Sequence, residues 1–353
     1  MELKIKDRMP AKRVLVTGVA GFMGSHEAEA LVSLGYQTYG VDDLSGGFMD
    51  NVPKGCRFTK LDLRNRSAVA RYMKNVRPEI IIHDAAFATE GGSQFTPINS
   101  TERNYNIYLN TLVEGLRNGM KKMMFASSMS VYGGQKAPFS EEMPRLPEDV
   151  YAVAKAASEK TTELLARVHG FEYTIIRPHN VYGIRQNLSD PYRNVVAIFI
   201  NRLMQGKPFF IYGNGSQQRS FTYIDDYTPY VLKAGLSKRF NGEIFNIGPR
   251  EAISIRGLAE LVIREYFGSM EACPKHLLPQ YLPDRPLEVK LAYCTHHKAE
   301  KLLGYRTSVT IQQGVSRMVA WARTRGPKEF VYLKGGLELV ARTTPSTWSK
   351  KLY

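Results

Sequence analysis

Arg13-Val14-Leu15-Val16-Thr17-Gly18-Val19-Ala20-Gly21-Phe22-Met23-Gly24 runs from an apolar strand straight into a turn rich in glycine. The run up to Gly18 reads as a strand buried on both faces, and a helix is expected from about Phe22 to Leu34, stopped by Gly35. Such a turn suits the pyrophosphate of a dinucleotide. Gly18 and Gly21 allow the backbone to turn tightly and approach closely. Gly24 lets helix and strand pack, and Phe22 and Met23 open a helix whose N-terminus favours negative charge. Asp42 ends the second strand, about 20 residues on, where its carboxylate is expected to accept from ribose hydroxyls. An acid there also repels a 2′-phosphate, so NAD is expected rather than NADP. The alternative, glycines that only shape a turn, does not account for the acid.

Outward from this turn, short apolar runs alternate with helical patterns. Strands are expected at Thr38–Val41, Phe58–Leu63, Ile80–His83, Lys122–Ala126 and Tyr173–Pro178. Helices are expected at Ser67–Lys74, Tyr105–Asn118 and Tyr151–Val168. This alternation implies an α/β fold, a doubly wound parallel sheet with helices on both faces. After Gly183 the pattern loosens, with Phe209–Tyr212 as an isolated strand and Ile255–Tyr266 as a helix. Residues 1–182 are therefore expected to form the dinucleotide-binding domain, with a returning segment near 220–250 that includes Glu243–Gly248. Residues 183–353 are expected to form a smaller, interleaved α/β substrate-binding domain. The tail after Gly326 has no assignment.

Composition is that of an ordinary globular chain, with 43% hydrophobic and 23% charged residues. The sequence has no apolar run long enough for a membrane span and no secretory signal, and the odd, dispersed Cys56, Cys273 and Cys294 read as reduced thiols; a cytoplasmic location is expected. No His/Cys cluster points to a metal. The net charge of +15 is spread over the chain without a long basic run, so it reads as a basic surface rather than a nucleic-acid site.

Tyr151 and Lys155 stand four apart on a helix and so share a face. An ammonium beside a phenol, near the positive nicotinamide ring, is expected to lower the phenol's pKa, which fits it to take a proton from a sugar hydroxyl as hydride leaves the same carbon. Ser127-Ser128 ends a strand, where a hydroxyl is placed to hydrogen-bond the reacting oxygen. Alone, the Tyr–Lys spacing also fits a surface pair, and Ser128 a turn hydroxyl.

Thr17-Gly18-x-x-Gly21-x-x-Gly24, Ser127-Ser128-x-x-Val131-Tyr132-Gly133 and Tyr151-x-x-x-Lys155 together resemble the extended short-chain dehydrogenase/reductase family, whose core is a Rossmann sheet. Within it the chain is most similar to the NAD-dependent nucleotide-sugar epimerases and dehydratases, especially the UDP-galactose 4-epimerase branch. Ile81–Ala86 and Arg177–Gly183 carry the likeness further.

The resemblance implies that Asp62 and Leu63 flank the adenine, that Ala85 and Ala86 line the dinucleotide groove, and that Asn104 approaches the nicotinamide side. It implies Ser128, Tyr151 and Lys155 as the catalytic group, with Lys155 also on the nicotinamide ribose. Ser130, Asn180, Asn194 and Ala292 are expected on the substrate side, and Arg219 and Arg285 are expected to clamp the pyrophosphate, a task suited to a planar guanidinium. A homodimer through the two long helices is implied as well. Three features depart from the family: the Gly91-Gly92-Ser93-Gln94-Phe95 segment, the absence of the lysine that some 4-epimerases place near Ala88, and Thr295 where an aspartate is common.

Among the family's reactions, 4,6-dehydration uses an Asp-Glu pair after the catalytic hydroxyl, where this chain has Met129 and Ser130. Decarboxylases often keep the glutamate, and reductases favour NADPH. The sequence therefore reads as a UDP-sugar 4-epimerase. The alternatives are another nucleotide-sugar enzyme using the same first oxidation, and a non-catalytic NAD- or polyanion-binding protein.

Overall fold

The computed structural model describes residue 5 and residues 7–193, 195–285 and 289–353. Seven parallel strands form the central sheet: β1 (Arg13–Thr17), β2 (Gln37–Asp42), β3 (Arg57–Lys60), β4 (Ile80–His83), β5 (Lys122–Ala126), β6 (Glu172–Pro178) and β7 (Glu243–Ile247). Their spatial order is β7-β6-β5-β4-β1-β2-β3. The chain thus winds one way from β1 to β3 and the other way from β4 to β7. The crevice between β1 and β4, where the order reverses, is where open α/β sheets bind ligands.

The apolar runs alternate between the two faces, as a period of two requires. Val14, Val16, Ile80, Ile82 and Met124 join one core cluster, while Leu15, Ile81, Met123 and Phe125 join another. The first core includes residues from α1 (Phe22–Ser33), the second from α2 (Arg66–Val76) and α3 (Ile107–Arg117). Both faces of β1, β4 and β5 are buried, which is why their runs lack polar alternation.

Some boundaries differ from the sequence reading. β3 ends at Lys60 because Asp62 turns the chain, accepting from the Arg64 N–H, and Asn65 caps α2. A π-helical turn, Glu102–Asn106, precedes α3. The next long helix, α4 (Val150–His169), starts at the Asp149 cap and stops where Gly170 turns left-handed at φ 71°.

β7 pairs in parallel with β6, Glu243 opposite Thr174. Beyond the large sheet, Gln218–Arg219 pairs with both Ile253–Ser254 and Leu291–Ala292, and Phe210–Tyr212 pairs with Gln280–Leu282. The tail returns to the body: Val331 N–H donates to Ser189 O, and the Trp348 indole N–H donates to Pro191 O. No helix among the described residues is long and apolar enough to cross a membrane.

Candidate active site

A continuous cleft of about 910 Å³ opens at the β1/β4 crevice and runs across to the smaller sheets. That size is at the upper end for a ligand site and suits two ligands end to end.

Its first part is a backbone cradle. Gly18 has φ +72°, and a Cβ there would lie 3.0 Å from the backbone of Ala85. A Cβ on Gly24 would lie 2.6 Å from Gly18 O. The α1 N-terminus has no side-chain cap, so its first N–H groups face the cleft beside Phe22 and Met23, where a pyrophosphate would satisfy them. Asp42 accepts from Ala20 N–H at 3.0 Å and Leu44 N–H at 2.8 Å. Burial raises its carboxyl, and those N–H groups oppose the rise. The cradle fits NAD: glycines where the backbone must be approached, free N–H groups for phosphate, and an acid at the ribose end.

Leu63, Ala85 and Ala86 line the same cleft. Asp62 lines it too, but Arg64 holds its carboxylate at 2.7 Å and pulls it below the usual carboxylate range. Asn104 lies elsewhere. Its amide donates to Ser100 O and Phe87 O and accepts from Phe87 N–H, so it clips the chain after β4 and does not line the cleft. The sequence expectation placed it beside the nicotinamide; a buried amide satisfied on both ends is instead a brace.

The catalytic candidates come together where β5 ends. Ser128 Oγ accepts from Ser130 N–H at 3.1 Å and from Ser130 Oγ at 2.9 Å, and the Ser128 hydroxyl lies where it favours the ionised form of the Tyr151 phenol. Burial raises Tyr151 above its ordinary value; Glu90 and Asp149 add to the rise, while Ser128 and Arg193 oppose it. The sequence reading expected Lys155 to lower the phenol. Its ammonium turns instead to Ala126 O at 2.7 Å, over the Phe125 ring, and burial pulls it down to about 8 against Asp84 and Glu159. Desolvation is the largest cause of the phenol's rise, and Lys155 is not among the groups that oppose it.

Two buried polar groups brace this corner. Glu159 pairs with Arg177 at 2.6 Å and accepts from Ser127, fixing the strand end that carries Ser128. Glu27 and Asp84 put their buried carboxyls against each other with no other donor among the described residues. Burial raises both; Asp84 adds to the rise at Glu27, whereas Glu27 and the Lys155 charge oppose the rise at Asp84. His83 and His179 are buried, and burial lowers each to about 3, so both are neutral.

Toward the smaller sheets lie Ser130, Asn180, Arg219, Arg285 and Ala292. Asn180 donates to Ser220 O and holds φ +34°. Ala292 pairs with Arg219 in register and packs with Met129, Phe139 and Val289. The Arg285 guanidinium stands 5.0 Å over the Tyr212 ring. Asn194 lies outside the described residues. Sequence reasoning did not single out Glu90 or Arg193, the charges that act on the phenol from across the cleft, because each is distant in the chain. Nor did it assign the tail residues Tyr332, Thr347, Trp348 and Tyr353, which line the cleft.

The model of the NAD dependent epimerase/dehydratase family matches residues 14–248. The chain is 32% identical to a putative UDP-glucose 4-epimerase of Methanocaldococcus jannaschii, over 88% of this chain and 98% of that protein. It is 29% identical to a UDP-N-acetyl-alpha-D-glucosaminuronate decarboxylase of Bacillus cytotoxicus, over 88% and 98% respectively. The crystal structure of a Thermotoga maritima UDP-glucose 4-epimerase with UDP-glucose superposes with a TM-score of 0.81 at 31% identity, covering 89% of this chain and 99% of that one. With the glycine cradle, the reversed strand order and the Ser–Tyr–Lys corner in place, the chain belongs to the NAD-dependent epimerase/dehydratase family.

Proposed function

We propose that this enzyme is a UDP-sugar 4-epimerase, oxidising C4 to a transient ketone and reducing it from the other face. The observation that carries this reading is the Ser128–Tyr151–Lys155 corner with Met129 and Ser130 beside it, neither of which can move a proton for elimination. The similarity to UDP-glucose 4-epimerases supports it.

NAD, held by the Gly18–Gly24 turn and Asp42, would supply the hydride acceptor and donor for C4 and a positive ring near the phenol. Tyr151 takes the C4 hydroxyl proton on its Oη and gives it back during re-reduction, so neither acid nor base is consumed. Because burial raises this phenol, it stays protonated and neutral until positive charge is assembled beside it. Ser128, already an acceptor for Ser130, turns its own hydrogen toward the reacting oxygen. Lys155 contributes charge from the same helix face. Arg219 and Arg285 take the pyrophosphate, and Asn180 the sugar or its phosphates. The enzyme is proposed to work in the cytoplasm as a homodimer, without nucleic acid or membrane.

A second reading has one observation in its favour. Glu90 is the charge that most raises Tyr151, so a carboxylate does face the reacting corner from another segment. That would suit a dehydratase or decarboxylase. Incubating the purified protein with UDP-glucose, UDP-galactose and their N-acetyl and uronic counterparts, with NMR of the products, separates the two. A C4 epimer is expected; a 4-keto-6-deoxy sugar or a pentose would replace this reading with the second.

A further inference from the structure

The segment 327–353 crosses the cleft and has a foot on each side. On the nucleotide side, the Thr347 hydroxyl hydrogen-bonds the Tyr212 hydroxyl at 2.5 Å, and Thr347 is fully buried. Tyr212 is the ring beneath Arg285, and cation–ring contacts hold a guanidinium within about 6 Å of the centroid. Tyr353 packs against Phe210 and Phe330, with the Arg202 guanidinium over its ring. On the catalytic side, Glu338 takes the N–H groups of Ile98 and Asn99, each at 2.7 Å, and the Glu338 and Leu339 N–H groups donate to Phe95 O. Trp348, 5% exposed, packs edge-on against Phe95 and tilted against Tyr192, and a Cβ on Gly91 would lie 3.3 Å from its ring. Ser93, inside that Gly91–Phe95 segment, reaches Asp149, the cap of the helix that carries Tyr151 and Lys155.

A tail that buries an indole and a threonine this completely is packed structure, and its exposed side lines the cleft. The Gly91–Phe95 segment that departs from the family is what the indole rests on. Both irregular parts of the sequence therefore meet in one wall.

We propose that segment 327–353 is a built wall of the sugar-nucleotide half of the cleft, in which Thr347, through Tyr212, positions Arg285 for a nucleoside diphosphate and Trp348 bounds the pocket against Phe95. The proposal rests on the reading that this half of the cleft takes a sugar nucleotide. Thr347 is a positioning residue, and it acts on the diphosphate through another side chain. Arg285 meets the phosphates at the angle its ring support allows, so loss of one hydroxyl from below that ring weakens binding without touching the chemistry.

The test uses the full chain with NAD bound. Calorimetric titration of UDP into Thr347→Val is expected to show affinity about 3- to 10-fold weaker than wild type, the effect of one lost hydrogen bond, with NAD affinity unchanged. In an Arg285→Ala background the same substitution is expected to have no further effect, because its action runs through Arg285. Trp348→Leu is expected to raise KM for the sugar nucleotide more than it lowers kcat. Additive losses in the double variant, or an unchanged UDP affinity in Thr347→Val, overturn the proposal. dTDP and GDP are titrated alongside. If one of them binds in place of UDP and shows the same non-additivity, the wall stands and the UDP reading falls. If no nucleoside diphosphate binds the wild type, both fall.

Discussion

The Lys155 ammonium lies 5.7 Å from the centroid of the Tyr151 ring and donates to Ala126 O rather than to the phenol. The groups that act on the phenol are instead Glu90 and Asp149, which raise it with burial, and Ser128 and Arg193, which oppose the rise. Tyr151→Phe is expected to lower kcat by about 10²–10⁴-fold while leaving NAD and UDP affinities near wild type. Lys155→Met is expected to lose rate and NAD affinity together. Steady-state kinetics with calorimetry check both; near-normal turnover by Tyr151→Phe would end the assignment.

Asp42 braces the glycine turn through Ala20 N–H and lines the cleft beside it. The wild type is expected to bind NAD more tightly than NADP. Asp42→Ala is expected to weaken NAD by about 10-fold or more, since bonds to a charged acceptor are the stronger kind. Titration of both cofactors into both proteins decides this. An NADP preference in the wild type would contradict it.

The Glu27–Asp84 pair makes stability depend on pH. Burial raises both carboxyls in the folded state, so folding keeps a proton that the unfolded chain releases. Their contribution is most favourable below the ordinary carboxyl pKa and is lost as pH rises from there toward the folded values. Glu27→Gln cannot ionise and places an amide donor beside Asp84. Its Tm relative to wild type is expected to rise with pH, at roughly 2–4 °C per kcal/mol of stability gained. Scanning calorimetry at pH 5 and pH 8 gives the answer, and a constant difference would refute the raised carboxyls.

Ala292 leaves a methyl group where Met129, Phe139 and Val289 meet, while Tyr293 does not line the cleft. The pocket is therefore expected to accept an N-acetyl or C6 carboxylate group. Ala292→Tyr is expected to cut kcat/KM several-fold more for such a sugar than for the plain UDP-hexose, because overfilling a packed space costs about 1–3 kcal/mol. Equal slowing of all substrates would show that the site lies elsewhere.

Val153, Leu164 and Val168 are 51%, 47% and 75% exposed along one stripe of α4, an apolar row that water would not favour. A homodimer through this helix and α3 is expected in light scattering at micromolar concentration. Leu164→Glu is expected to shift it to monomer with little change in Tm. A monomeric wild type would exclude that pairing.

By itself the sequence determined the seven-stranded core and the local geometry of the site. The alternation of Val14, Leu15 and Val16 between two faces, the glycines needed at Gly18 and Gly24, and the four-residue spacing of Tyr151 and Lys155 are all set by short-range backbone periodicity. Tertiary structure decided what depends on long-range proximity and solvent exclusion. Burial, not the nearby lysine, sets the state of Tyr151. Asn104 turns to Phe87, because a buried amide must satisfy both its ends. Glu27 meets Asp84 only because α1 and the chain after β4 pack together, and Trp348 meets Gly91 across more than 250 residues of chain. Spacing along a helix or strand carries the first kind of information, whereas desolvation and packing arise only once distant segments share one interior.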